Sequence, residues 1–153
     1  MKVLEPTHFQ WDASLETGFE KVDRQHKLLM LAARDLEEAT LNGKSDKVVM
    51  ETLEFLANYV VKHFTDEEQL QIDYGYPDYL THKQIHEDFK VTVGKFVERI
   101  NMEGLSAKLS VELCSLLDAW LLHHIKGDDS RMAAFVKEAD ARAMAEAEAE
   151  KIL

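Results

Sequence analysis

The chain has 153 residues, with 18 Lys and Arg against 29 Asp and Glu for a net charge of −11, and only 6 Gly and 2 Pro. That balance excludes the basic face that nucleic-acid binding requires, and it disfavours docking on an anionic membrane surface. Hydrophobic residues at 46% and charged residues at 31% place it among single globular domains, not disordered chains.

Cys114 is the one cysteine, so no intrachain disulfide forms, which suits a reducing compartment. The opening "MKVLEPTHFQWD" has no apolar core of a secretory leader. No apolar run approaches the ~20 residues of a membrane span. A cytoplasmic location and no membrane partner are expected.

In chain order, residues 1–20 carry Pro6, Trp11 and Gly18 without clean periodicity, and read as an arm laid over the domain. A first helix is predicted from Glu20 to Leu41, stopping at "NGKS". A second starts after Ser45, a good N-cap, and runs to Tyr74 before "GYP". A third covers Asp78 to Met102, and a fourth Ser106 to Lys126, ending at Gly127. Short connections make successive helices antiparallel neighbours. The expected fold is all-α, an up-down-up-down four-helix bundle over 21–132. The Ala/Glu-rich segment 133–153 is expected to extend as a solvated helical tail, with no function assigned.

The inward stripe of each helix carries histidine. Val22, His26, Leu29, Ala33 and Leu36 are spaced 4, 3, 4, 3, as are Leu56, Val60, His63, Glu67 and Leu70. The third helix gives His82, His86, Phe89, Val93, Phe96 and Ile100, and the fourth Leu113, Leu117, Trp120 and His124. Such spacing holds residues on one face. Residues four apart lie only ~40° apart in azimuth and ~6 Å along the axis. One histidine on an apolar face is ordinary core. Five, with an inward carboxylate that would be costly to bury alone, point to a bound cation.

Imidazole with carboxylate suits Fe, Zn, Mn or Cu, and the ligands are too many for one tetrahedral zinc. Two ions sharing a bridging carboxylate fit the count, and one more ligand is needed. Asp128 and Asp129 both qualify. Asp129 sits ~140° from His124 on an ideal helix, so the spacing predicts a break near Gly127.

This ligand series resembles the hemerythrin family in its single-domain bacterial form. The pattern of that family is His26 in "VDRQHKLL", His63 and Glu67 in "HFTDEE", His82 and His86 in "HKQIH", and His124 and Asp129 in "WLLHHIKGDD". The resemblance spans about Trp11 to Met132. His123 with Asp128 repeats the last spacing, but Trp120, Leu121, His124 and Ile125 match the family phrase, and the seam from Trp120 agrees. His123 and His8 then read as ordinary polar residues. Family members often carry an aromatic just after the final Asp, where this chain has Ser130, Arg131 and Met132.

The resemblance implies two Fe ions joined by an oxo or hydroxo bridge. His82, His86 and His124 would hold one iron and His26 and His63 the other, with Glu67 and Asp129 bridging. It implies O2 as the ligand, bound at the iron of His26 and His63. Leu121 and Trp120 are placed to line a dry pocket there, Trp120 being equally readable as plain packing. The expected role is reversible O2 binding for carriage, storage or delivery, not an enzyme. The alternatives are an O2, NO or redox sensor, or a di-iron oxidase or peroxide-consuming protein. Ferritin-like di-iron sites use two Glu-x-x-His motifs, and the only one in this chain is Glu5 with His8, in the arm.

Overall fold

The computed structural model describes Pro6 and residues 8–152; Glu5 and the other first residues of the arm, Thr7, and Leu153 at the end of the tail lie outside the described residues. A short 3-10 turn at Ala13–Leu15 precedes α1 (Glu20–Leu41), α2 (Asp46–Tyr74), α3 (Tyr79–Glu103) and α4 (Ala107–His124). A five-residue π turn, Ile125–Asp129, then leads without interruption into α5 (Ser130–Ile152). The first four helices form the expected four-helix bundle, and the described residues include no strand. None of the described helices is long and apolar enough to cross a membrane.

The helix ends follow local chemistry. Ser45 and Ser106 each accept an N–H three residues on, from Val48 at 3.3 Å and Leu109 at 3.1 Å, satisfying first-turn donors that have no helical partner. Asp23, in the first turn of α1, takes the Thr17 and Gly18 N–H groups at 2.8 and 3.1 Å. Gly75 closes α2 with φ 65°, a left-handed conformation that favours glycine. The N–H of Tyr76 then returns to the Gln71 carbonyl.

Two apolar clusters divide the interior. The larger holds Leu29, Leu36, Leu56, Phe64, Leu117 and Leu121, among others, together with Phe9 and Leu15 from the arm. The smaller gathers Val22, Tyr76, Met132 and Val136. Along α1 the order is Val22, His26, Leu29, and along the last helices Ile125, Asp129, Met132. A polar layer therefore lies between the two clusters. The first turns of α5 help to close it, since Met132, Ala133 and Val136 are fully buried.

The arm is fastened, not merely laid down. The His8 ring and backbone N–H both meet the buried carboxylate of Glu37 on α1. The Phe9 N–H donates to Asp118 on α4 at 2.9 Å. Sequence reasoning treated His8 as an ordinary polar residue and missed this anchor.

Candidate metal centre

The seven residues singled out by spacing and by the family resemblance converge in the polar layer. His26, His63, Glu67, His82, His86, His124 and Asp129 are all buried, none more than 3% exposed. They form two groups. Glu67, His82, His86, His124 and Asp129 offer ligand atoms within 4.8 Å of one another, and so do His26, His63, Glu67 and Asp129. Glu67 and Asp129 belong to both.

The sharing is atom by atom. Glu67 Oε1 lies 2.6 Å from His82 Nε2 and 3.2 Å from His86 Nε2, while Glu67 Oε2 lies 3.1 Å from His63 Nε2. Asp129 Oδ1 lies 3.1 Å from His82 Nε2 and 3.0 Å from His124 Nε2, while Asp129 Oδ2 lies 2.8 Å from His26 Nε2. Each carboxylate thus turns one oxygen to the three-histidine group and the other to the two-histidine group.

Several of these contacts are short but not aligned as hydrogen bonds. His26 Nε2, Glu67 Oε2 and both Asp129 oxygens have no hydrogen-bond partner although all are buried. Buried polar atoms in native proteins are almost always paired. His82 Nε2 does meet Glu67 Oε1 in hydrogen-bond geometry, but ligand atoms that crowd one point with several left unpartnered have the arrangement of a ligand set, and this donor set of imidazole and carboxylate fits iron.

Asp129 reaches the layer by a route the sequence did not suggest. The helix does not break at Gly127. It widens instead, and the π turn takes one residue more per turn than an α-helix. That extra residue brings a side chain five positions after His124 back onto the same face. Asp128 stays outside the ligand groups, and His123 is exposed as expected.

A family model described as the hemerythrin HHE cation binding domain matches residues 17–136. The chain belongs to the hemerythrin family. It is 36% identical over 124 residues to a myohemerythrin of Theromyzon tessulatum, covering 81% of this chain and 90% of that one. It is 35% identical over 123 residues to a bacteriohemerythrin of Pseudomonas aeruginosa, covering 80% and 78%. The crystal structure of a hemerythrin mutant superposes with a TM-score of 0.72 at 21% identity, covering 83% of this chain and 95% of that one, which shows the same fold. Hemerythrins bind non-haem iron, and the His/Glu/Asp cluster of this member is able to hold metal.

A second layer of polar side chains orients the hemerythrin imidazoles. Gln25 Nε2 donates to Asp66 at 2.8 Å, which leaves its Oε1 to accept from His63 Nδ1–H at 2.8 Å. His86 Nδ1 meets Glu68 Oε2 at 3.0 Å, and His124 Nδ1 meets Asp128 Oδ2 at 2.9 Å. An acceptor on Nδ1 fixes the proton there and turns the Nε2 lone pair inward, as metal-bound histidines require. Each outer partner stands next in sequence to a residue of the inner groups: Gln25 to His26, Glu68 to Glu67, Asp128 to Asp129. Gln25 and Glu68 lie at the seam between helices and meet a neighbouring helix's ring, whereas Asp128 meets the His124 ring one turn back on its own helix.

Aromatic rings wall one side. Phe64 lies flat on His86 with centroids 3.8 Å apart, and Trp120 stacks on His124 at 4.4 Å and on Phe89 at 3.8 Å. Trp120 is half-buried, whereas Leu121 is 3% exposed. A cavity of about 310 Å³ between α2, α3 and α4, lined by Leu56, Val60, Phe89, Val93 and Leu117 among others, lies toward the same side. Neither Leu121 nor Trp120 lines it, but Leu117 is one turn from Leu121.

Without metal, the layer is held by protons. Burial pulls the His26, His82 and His124 imidazoles down, and the Asp129 and Glu67 carboxylates override it. The result is a rise from 6.5 to about 9 for His26 and His82 and about 10 for His124, with Asp128 adding to the last. Burial pushes Glu67 and Asp129 up, and the facing histidines carry both well below the usual carboxylate range. A histidine raised in the folded state contributes stability in full below its unfolded value and loses it as pH climbs through the folded one. Metal-free protein should therefore lose stability progressively as pH rises from about 6.5 to about 10 in denaturant titrations. Metal-loaded protein, its imidazoles already deprotonated, should show no such fall. Identical pH profiles with and without metal would contradict this.

Proposed function

We propose that this chain binds O2 reversibly at a di-iron centre, for carriage, storage or delivery. The carrying observation is the split of Glu67 and Asp129 between a three-histidine and a two-histidine group. His82, His86 and His124 would hold one iron, His26 and His63 the other, and the two carboxylates would bridge them.

Ligand number decides where O2 goes. His82, His86 and His124 with one oxygen from each carboxylate would supply one metal with five protein ligands. His26 and His63 with the other two oxygens would supply only four, which would leave the two-histidine side the more open to O2. The irons, when bound, supply the electrons that make O2 a ligand. The protein supplies position and dryness. His26 and His63 direct their Nε2 atoms, and Phe64, Leu121 and Trp120 keep the surroundings apolar. The cavity beside Leu117 offers an apolar gas a favourable place between the helices. Two carboxylates and five imidazoles also make a site less anionic than one built on four carboxylates, which suits holding O2 over driving it to a stronger oxidant.

The deciding experiment is a visible spectrum of iron-loaded protein, reduced without air, exposed to O2, then evacuated. Charge-transfer absorption that appears with O2 and disappears on its removal is expected. Immediate irreversible oxidation would move the assignment to redox sensing or oxidase chemistry.

A further inference from the structure

Among the described residues, one buried polar side chain outside the seven has no partner for any of its polar side-chain atoms. Gln71 on α2 is 0% exposed, and neither its Oε1 nor its Nε2 has a hydrogen-bond partner. The spacing of α2 had given this inward place to Leu70, which is only half-buried. A buried amide with nothing to bond is costly, and native structures avoid it.

The position of Gln71 says what it faces. It follows Glu67 by four residues, hence stands one turn below it on the same face. Long side chains on a helix lean toward the N-terminus and cover the turn before their own. Gln71 therefore leans toward the carboxylate layer. On its other side lies the small cluster of Val22, Tyr76, Met132 and Val136, whose Tyr76 hydroxyl makes no hydrogen bond to the amide. Among the described residues, every other buried polar side-chain atom left without a partner belongs to His26, Glu67 or Asp129, all in that layer.

We propose that Gln71 is a positioning residue of the centre, its amide donating Nε2–H toward the Glu67–Asp129 carboxylate pair through a buried solvent molecule. This rests on reading the layer as a metal centre. Solvent can bridge polar groups too far apart for direct contact, provided it finds two or more polar partners. Here those are the amide and a carboxylate oxygen, which keeps a second lone pair when the first is given to a metal. A hydrogen bond to an anionic ligand withdraws charge from it. That favours the lower-valent metal and raises the reduction potential.

The test compares wild type with Gln71→Met and Gln71→Leu, which keep the bulk and remove the hydrogen bonds. Iron content should be unchanged in the variants. Their midpoint potentials should move negative by a tenfold change in the reduced-to-oxidised ratio, about 59 mV for one electron. Metal-free Gln71→Met should melt no lower than wild type. Unchanged potentials in both variants would overturn the proposal and leave Gln71 as packing alone. If neither variant folds, a crystal structure of the iron-loaded wild type decides. A hydrogen-bonded link from Nε2 to a carboxylate oxygen supports the proposal, and no link overturns it. Wild type that takes up no iron would instead defeat the reading of the centre itself.

Discussion

Glu67→Ala should abolish stable metal loading. Glu67 offers Oε1 to His82 and His86 and Oε2 to His63, so its loss removes one donor from each group at once. It also removes one of the two carboxylates of a buried layer proposed to hold two cations. Iron measured on the purified, iron-supplied variant should fall from roughly two ions per chain to well below one. Loaded wild type should melt above metal-free wild type, because a ligand that binds only the folded state stabilises it. In the variant the two melting curves should coincide. Metal-free Glu67→Ala also loses one of the two carboxylates that raise His26, His82 and His124. Its alkaline loss of stability should move toward neutral pH. Full iron content with a wild-type melting curve would remove Glu67 from the centre.

The second large effect concerns how long the O2-bound form survives. Leu121 is fully buried on α4, one turn before His124, in the same apolar cluster as Phe64, against which Trp120 packs. Leu121→Ala leaves space there, and in a layer of unpartnered carboxylate and imidazole atoms that space favours water. Water would bring protons to a site whose proposed reversible O2 binding depends on excluding them. Oxidation of the O2-bound form in air should quicken about tenfold, equivalent to ~1.4 kcal/mol of barrier. The substitution should also cost about 2–5 kcal/mol of stability, as buried Leu→Ala changes do. Leu113→Ala separates the two effects. It deletes an equally buried leucine of the same helix, 3% exposed, two turns further from the centre. It should lower stability and leave the oxidation rate alone. Equal rates in both variants would show that Leu121 guards nothing.

The seam of histidines was legible because helical periodicity is a local property. Residues spaced 4 and 3 share a face whatever they pack against, so His26, His63, Glu67, His82, His86 and His124 could be placed inward before any tertiary contact was known. Asp129 was harder. On a regular helix it points away from His124, and spacing alone does not tell it from Asp128; the resemblance did. The spacing demanded an irregularity, and the expected break at Gly127 was the wrong kind.

The outer partners were illegible for a different reason. Gln25 and His63 are 38 positions apart, and their meeting depends on the crossing of α1 and α2. The same holds for His8 with Glu37, which needs the path of the arm. Gln71 shows the limit of periodicity itself. Leu70 and Gln71 both continue a 3–4 rhythm, hydrophobicity favours the leucine, and packing chose the amide.

The π turn has a meaning for how this chain tolerates editing. Deleting one residue inside a helix ordinarily rotates everything after it by about 100° and ruins the packing downstream. Here the turn from Ile125 to Asp129 already carries one residue more than a regular helix needs. Removing exposed Lys126 would close it to an ordinary α turn. Asp129 would then stand four places after His124 on a straight helix, still facing the centre, with Met132, Ala133 and Val136 on the face they now bury. A one-residue deletion at Lys126 should therefore keep iron uptake, whereas the same deletion at exposed Ala119 should destroy it. Iron content of the two deletion variants checks this, and the five-residue spacing is then a record of backbone shape, not a requirement of the ligands.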